Sequence, residues 1–337
     1  MEGRKRPKAE YGGFLPLELN PGEEYFAKYE DYLFRFNSVK AALDALIRKL
    51  DIEEVFIPYY YCPSTTEAIR KTGVSVSFYH ISDDLMPNEV PDNDNTAVIL
   101  VDYFGVLGDS VTGFAKSFKN SEIIIDRAHA FYEDPVIHEH IHNVYSAKKF
   151  FGIPDGAYIV TKTILTVETE ESTAFEYAGY LINAYEKGTD SAYQLKKDAD
   201  KFLKDHYCCM SALSVGLLKN ADYECVRDRR TQNYRVLYNL LNSLNELEIP
   251  RECPAYLFPL LISEKGNEIK KRLVKEKIYV PTLWAGNDLI ANGNEFELRM
   301  KDDTIFLPID QRYDREDMNY IAELIKEIIG DITRENT

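Results

Sequence analysis

Residues 122–156 read EIIIDRAHAFYEDPVIHEHIHNVYSAKKFFGIPDG, and the fold is decided there. Ile123, Ile124 and Ile125 run straight into Asp126, with Ala128, His129 and Ala130 following. Val144 and Tyr145 then lead into Ser146, Ala147, Lys148 and Lys149, two phenylalanines, and the turn from Gly152 to Gly156. Short apolar runs bounded by turn residues are how strands of a covered parallel sheet are written. Ligands of such sheets bind at the carboxyl ends of the strands, where Asp126 and Lys149 both stand.

Outward from this stretch the same pattern continues. Strand-like runs fall at 55–57, 74–79, 97–103, 122–126, 143–146 and 157–161, with helical patterns at 39–50 and 64–72 and a polar loop at 87–95. Alternating helix and strand places this half in the α/β class, with a mostly parallel sheet. Beyond about residue 170 long helical patterns take over, clearest at 192–206 and 226–244. The last third mixes strand-like 256–262, 278–280 and 305–308 with helical 267–275 and 314–329. The expected division is a large domain over 1–205 and a small C-terminal α/β domain over 206–337.

Composition narrows the function classes. Of 337 residues, 45% are hydrophobic and 28% charged, as in a folded globular protein rather than a disordered one. The net charge of −16 argues against nucleic acid and anionic membrane surfaces as partners, so a phosphorylated ligand would need a local cationic or N–H pocket. Arg4, Lys5, Arg6 and Lys8 lack a following apolar run, which reads as a solvated terminus rather than a signal peptide, and no stretch has transmembrane length. Five cysteines without C-x-x-C spacing support neither a disulfide framework nor a zinc knuckle, and a reducing cytoplasm is the expected compartment.

Each chemical signal has a plain structural counterpart. Asp126 could hold a ligand or merely cap the next turn. A lysine among apolar residues at a strand exit has a depressed pKa and a free amine for a carbonyl, though a Lys pair before aromatics also suits a surface edge. Ser38 precedes the helical pattern and could bind an anion at the helix start or only cap it. His138, His140 and His142 alternate and in an extended segment would share a face, but a solvent-facing loop is the expected home, with no metal. Trp284 could wall a substrate pocket or fill core. Arg312 could bind a substrate carboxylate or phosphate, or pair with Asp310 or Asp314.

Taken in order, residues 37–43, then 55–69 with Pro58, Tyr60, Tyr61 and Cys62, then 124–129 and 146–156, resemble the fold type I enzymes of pyridoxal 5'-phosphate (PLP), and in particular the DegT/StrS family of nucleotide-sugar aminotransferases. The likeness continues at Arg229, Arg230, Asn233 and Tyr234 and at 307–313, LPIDQRY, before Asp317 and Met318, so it covers most of the chain. It implies a large α/β domain whose mostly parallel sheet has seven strands, and that Ser38, with the amides of Val39 and Lys40, holds the cofactor phosphate and Ser146 supports it. Asp126 would pair with the pyridine nitrogen, His129 lie near the phenolic oxygen, and Tyr60 or Tyr61 stack on the ring. Lys149 would carry the Schiff base, and Asn233 would complete the partner's phosphate site in a homodimer. Three positions depart from the family: Val39 replaces a usual Gly, Cys62 falls at or near a frequent aromatic, and Gly156-Ala157 replaces Gly-Gly. These leave the cofactor in place and loosen the choice of sugar.

The function implied is transfer of an amino group from a donor such as glutamate to a nucleotide-linked keto sugar. A dehydratase-like PLP reaction is the first alternative, and Lys149 counts against it because dehydratases resembling this family typically carry His there. A non-catalytic PLP-binding regulatory protein is the second.

Overall fold

The computed structural model describes residues 13–166, 173–262 and 265–335; Arg4, Lys5, Arg6 and Lys8 lie outside them. The apolar runs of the first half become strands β1 (Leu33–Phe36), β2 (Glu54–Pro58), β3 (Ser75–Tyr79), β4 (Thr96–Val101), β5 (Glu122–Arg127), β6 (Ile141–Ser146) and β7 (Ala157–Val160). They form one sheet in the order β1-β7-β6-β5-β4-β2-β3. The pairs from β3 through β6 are parallel, while β7 runs antiparallel to both β6 and β1. Every residue of β4 and of β6 is buried, which is why those strands show no alternation of polar and apolar residues.

Helices α1 (Val39–Lys49), α2 (Pro63–Lys71) and α3 (Asp109–Ala115) connect these strands. Four more follow the sheet: α4 (Gly179–Lys187), α5 (Thr189–Asp205), α6 (Ala212–Lys219) and α7 (Tyr223–Leu241). The C-terminal third adds strands β8 (Phe258–Leu261) and β9 (Thr304–Leu307), paired antiparallel, with α8 (Gly266–Lys275), α9 (Glu295–Asp302) and α10 (Arg315–Glu335). Its core joins Leu237 of α7, Leu273 of α8, Ile305 of β9 and Ile325 of α10. Phe306 and Met300 turn the other way and pack into the core of the large sheet.

Strand β1 and residues 278–280 are among the places that differ from the sequence reading. Strand β1 was not expected, because its four residues LFRF carry Arg35 in the middle; β7 recruits them, pairing Leu33 with Val160 and Phe36 with Ala157. Residues 278–280 are not a strand. Lys277 adopts a φ of +61°, and the Ile278 amide returns to the Leu273 carbonyl at 2.9 Å, closing the end of α8. Ile278 and Val280 point inward without any ladder. Among the described residues no helix is long and apolar enough to cross a membrane.

Candidate functional site

Ser38, Asp126, Ser146 and Lys149 line a single cavity of about 430 Å3 at the carboxyl ends of β4, β5 and β6. Ser38 is the N-cap of α1, in extended conformation, and its Oγ accepts the Ala41 amide at 3.2 Å. That bond uses a lone pair and leaves the hydroxyl hydrogen for a ligand. Val39 and Lys40 also line the cavity, and the first amides of a helix have no partner within it, so this corner suits an anion.

Gly156 joins this corner to the lysine turn. Its N–H donates to the Asn37 carbonyl at 3.0 Å, and its own carbonyl accepts the amides of Ala147 at 3.1 Å and Lys148 at 3.4 Å. Its φ of +136° favours glycine, and an added Cβ would meet Ile153 Cδ1 at 3.0 Å.

Asp126, at the end of β5, is buried and bonded on both oxygens: Oδ2 accepts the Tyr61 hydroxyl at 2.6 Å and Oδ1 accepts the Ala128 amide at 2.9 Å. Burial and the Asp126 carboxylate push the Tyr61 hydroxyl well above its ordinary pKa, so Tyr61 is the donor at any working pH. Tyr61 lines the cavity. Tyr60 does not; it lies behind, with its hydroxyl on the Met300 carbonyl at 3.4 Å.

His129 faces the same space. Burial, reinforced by Lys149, holds its pKa well below the usual imidazole value, so the ring is neutral. Its Nδ1 accepts the Phe104 amide at 3.4 Å, which places the proton on Nε2. Burial likewise lowers the pKa of Lys149, against the raising influence of Asp126 and Cys62. The neighbouring Lys148 is committed elsewhere, its ammonium on Asp200 of α5 at 3.0 Å.

The other residues singled out in the sequence part company here. Trp284 lines this cavity, whereas Arg312 lines a separate one of about 810 Å3 with Tyr279 and Tyr320 and is held by both oxygens of Asp310 at 2.7 and 2.9 Å. Asn233 is not at the site. It is buried in α7, and its Nδ2 donates to the carbonyls of Ile309, Asp310 and Tyr313 of its own chain. His142 lies in β6, buried, rather than in a solvent-facing loop; it and His140 both bond Glu122 at 2.9 Å. Sequence reasoning did not foresee that α5 brings Asp200, Leu203 and Lys204 to the cavity wall. No local motif marks them.

The donor set fits the PLP that the resemblance implies: a helix start and a hydroxyl for a phosphate, an oriented carboxylate for a ring N–H, an amine made less basic by burial for an aldehyde, and an N–H donor on His129 for the phenolic oxygen.

No protein-family model and no curated protein matches the chain. Solved structures do. A Streptococcus pneumoniae protein described as a sugar aminotransferase, in its PMP form, aligns at a TM-score of 0.66 and 15% identity over 95% of this chain and 100% of its own. A DegT DnrJ EryC1 StrS aminotransferase from Brucella abortus aligns at a TM-score of 0.60 and 16% identity over 88% and 85%. The E. coli GDP-4-keto-6-deoxy-D-mannose-3-dehydratase with bound hydrated PLP aligns at a TM-score of 0.61 and 12% identity over 90% and 92%. What is shared at such identities is the architecture. The chain has the PLP-dependent aminotransferase fold, type I.

Proposed function

We propose that the chain is a PLP-dependent aminotransferase that moves an amino group from an amino acid such as glutamate to a nucleotide-linked keto sugar, working as a homodimer. The observation that carries this is the convergence of Ser38, Asp126, His129 and Lys149 on one cavity. When bound, PLP supplies the electron sink for bond breaking at the amino-bearing carbon. The chain's residues do the rest. Ser38 and the α1 start anchor the phosphate. Asp126 keeps a proton on the ring nitrogen, and Tyr61 and the Ala128 amide hold that carboxylate in place. The Lys149 amine, made less basic by burial, would hold the cofactor through its aldehyde, and Nζ would be the atom that takes up and returns the proton.

Lys149 also speaks against the dehydratase reading, despite the shared fold of the E. coli enzyme. Mixing the PLP-loaded protein with glutamate tests the proposal. Conversion of bound PLP to its aminated form is expected; no conversion with any amino donor would leave a binding protein. Sedimentation should find the active species dimeric.

A further inference from the structure

The lining residues of the cavity fall between Asn37 and Lys204, with a single exception among the described residues: Trp284. It is also the only tryptophan of the chain. Its backbone is strained, with a φ of +59°, a conformation that a bulky side chain keeps only where the surroundings impose it.

What imposes it is visible. The Asn287 amide closes a turn onto the Trp284 carbonyl at 2.9 Å. The buried Asn287 side chain then donates to the carbonyls of Tyr59 at 2.7 Å and Tyr61 at 3.1 Å, the segment that delivers Tyr61 to Asp126. The indole meets Tyr60 edge-on, ring centroids 4.7 Å apart, and lies parallel to His129, within 6° at 5.8 Å. Ala128 and Cys62 supply small side chains to the same cavity, leaving room for a flat ring beside a flat wall.

We propose that Trp284 is the wall against which the pyridine ring of the cofactor packs, and that Asn287 is the positioning residue that holds it there. This rests on the reading of the cavity as a PLP site. A ring kept protonated by Asp126 is cationic and electron-poor, and indole is the aromatic side chain that attracts such a ring most strongly. The C-terminal segment thereby completes a pocket whose chemistry comes from the first two thirds of the chain.

Titration of the cofactor-free protein with PLP, followed by absorbance, tests this. Trp284→Ala should weaken PLP about tenfold and Trp284→Phe should recover most of the loss. Asn287→Ala should fall between them. Because Trp284 is the sole tryptophan, PLP should shield its emission from acrylamide in the wild type, and less so in Asn287→Ala. Should Trp284→Ala fail to fold, the phenylalanine variant and the wild-type shielding decide. Wild-type PLP affinity in the Trp284 variants, together with emission of the wild-type protein that PLP leaves unshielded, overturns the inference while the cofactor reading stands. A wild-type protein that takes up no PLP removes the cofactor reading itself, and this inference with it.

Discussion

Tyr61 donates to Oδ2 of Asp126 at 2.6 Å while the Ala128 amide occupies Oδ1, so the carboxylate faces the cavity with its plane already fixed. Each oxygen of a carboxylate accepts two hydrogen bonds, and a ring N–H can join without displacing either. Tyr61→Phe is expected to lower the stability of the cofactor-free protein by about 2 kcal/mol, the range for a bond to a charged acceptor. Urea unfolding measures it. A stability equal to wild type would mean that the bond orients nothing.

Borohydride reduction of the PLP-loaded protein should label Lys149, and Lys149→Ala should abolish the label. Lys148 is tied to Asp200 and should stay unlabelled. Since burial lowers the Lys149 pKa and Asp126 opposes that, labelling should rise with pH through a midpoint below the ordinary lysine value, and Asp126→Asn should move the midpoint lower still. An upward move would place the carboxylate elsewhere.

Asp126→Ala should retain much of the fold and lose most of the turnover. A close carboxylate and pyridinium at an effective dielectric of about 20 attract by about 4 kcal/mol, which is roughly a thousandfold in rate if most of it is felt in the transition state. Asp126→Glu should be milder, since the charge is kept. Single-turnover rate and melting temperature measured on one sample separate this from a capping role, which predicts near-normal turnover.

Just past β4, the buried Asp102 has Oδ1 on the Leu107 amide at 3.3 Å and Oδ2 without a partner. Burial pushes its carboxyl up to about 7, against the opposing Arg127 guanidinium. An unfolded Asp titrates near 4, so between about pH 4 and 7 the folded protein binds more protons, and stability is lost as pH rises through that window. Asp102→Asn should therefore stabilise by about 1.4 kcal/mol at pH 5 and by at most about 4 kcal/mol at pH 8. Urea midpoints at both pH values check it, and equal effects at both would mean that Asp102 stays ionised beside Arg127.

The strands that build the site were legible because three isoleucines in a row at 123–125 suit only a buried strand or helix segment, and Asp126 ends the run. Strand β1 was not, because its partner β7 lies more than a hundred residues away and Arg35 hides in its middle, its guanidinium taken by Glu24 and Glu30. Tyr60 and Tyr61 could not be told apart in the sequence. Neighbouring side chains past a strand end point apart, and only the tertiary contacts decide which faces the cavity. The place of Asn233 in the motif was visible too, but that its Nδ2 would meet the backbone of residues 309–313 was not, because those carbonyls lie more than seventy residues further on.

Gly156 sits between the Asn37 carbonyl and the amides of Ala147 and Lys148. Its bonds on the two sides thus link the serine corner to the lysine turn, so the distance between phosphate anchor and reactive amine is set through this one residue. A side chain at this position would displace both together, so its damage would reach cofactor retention and proton transfer at once, and no second mutation at either end alone could restore the spacing.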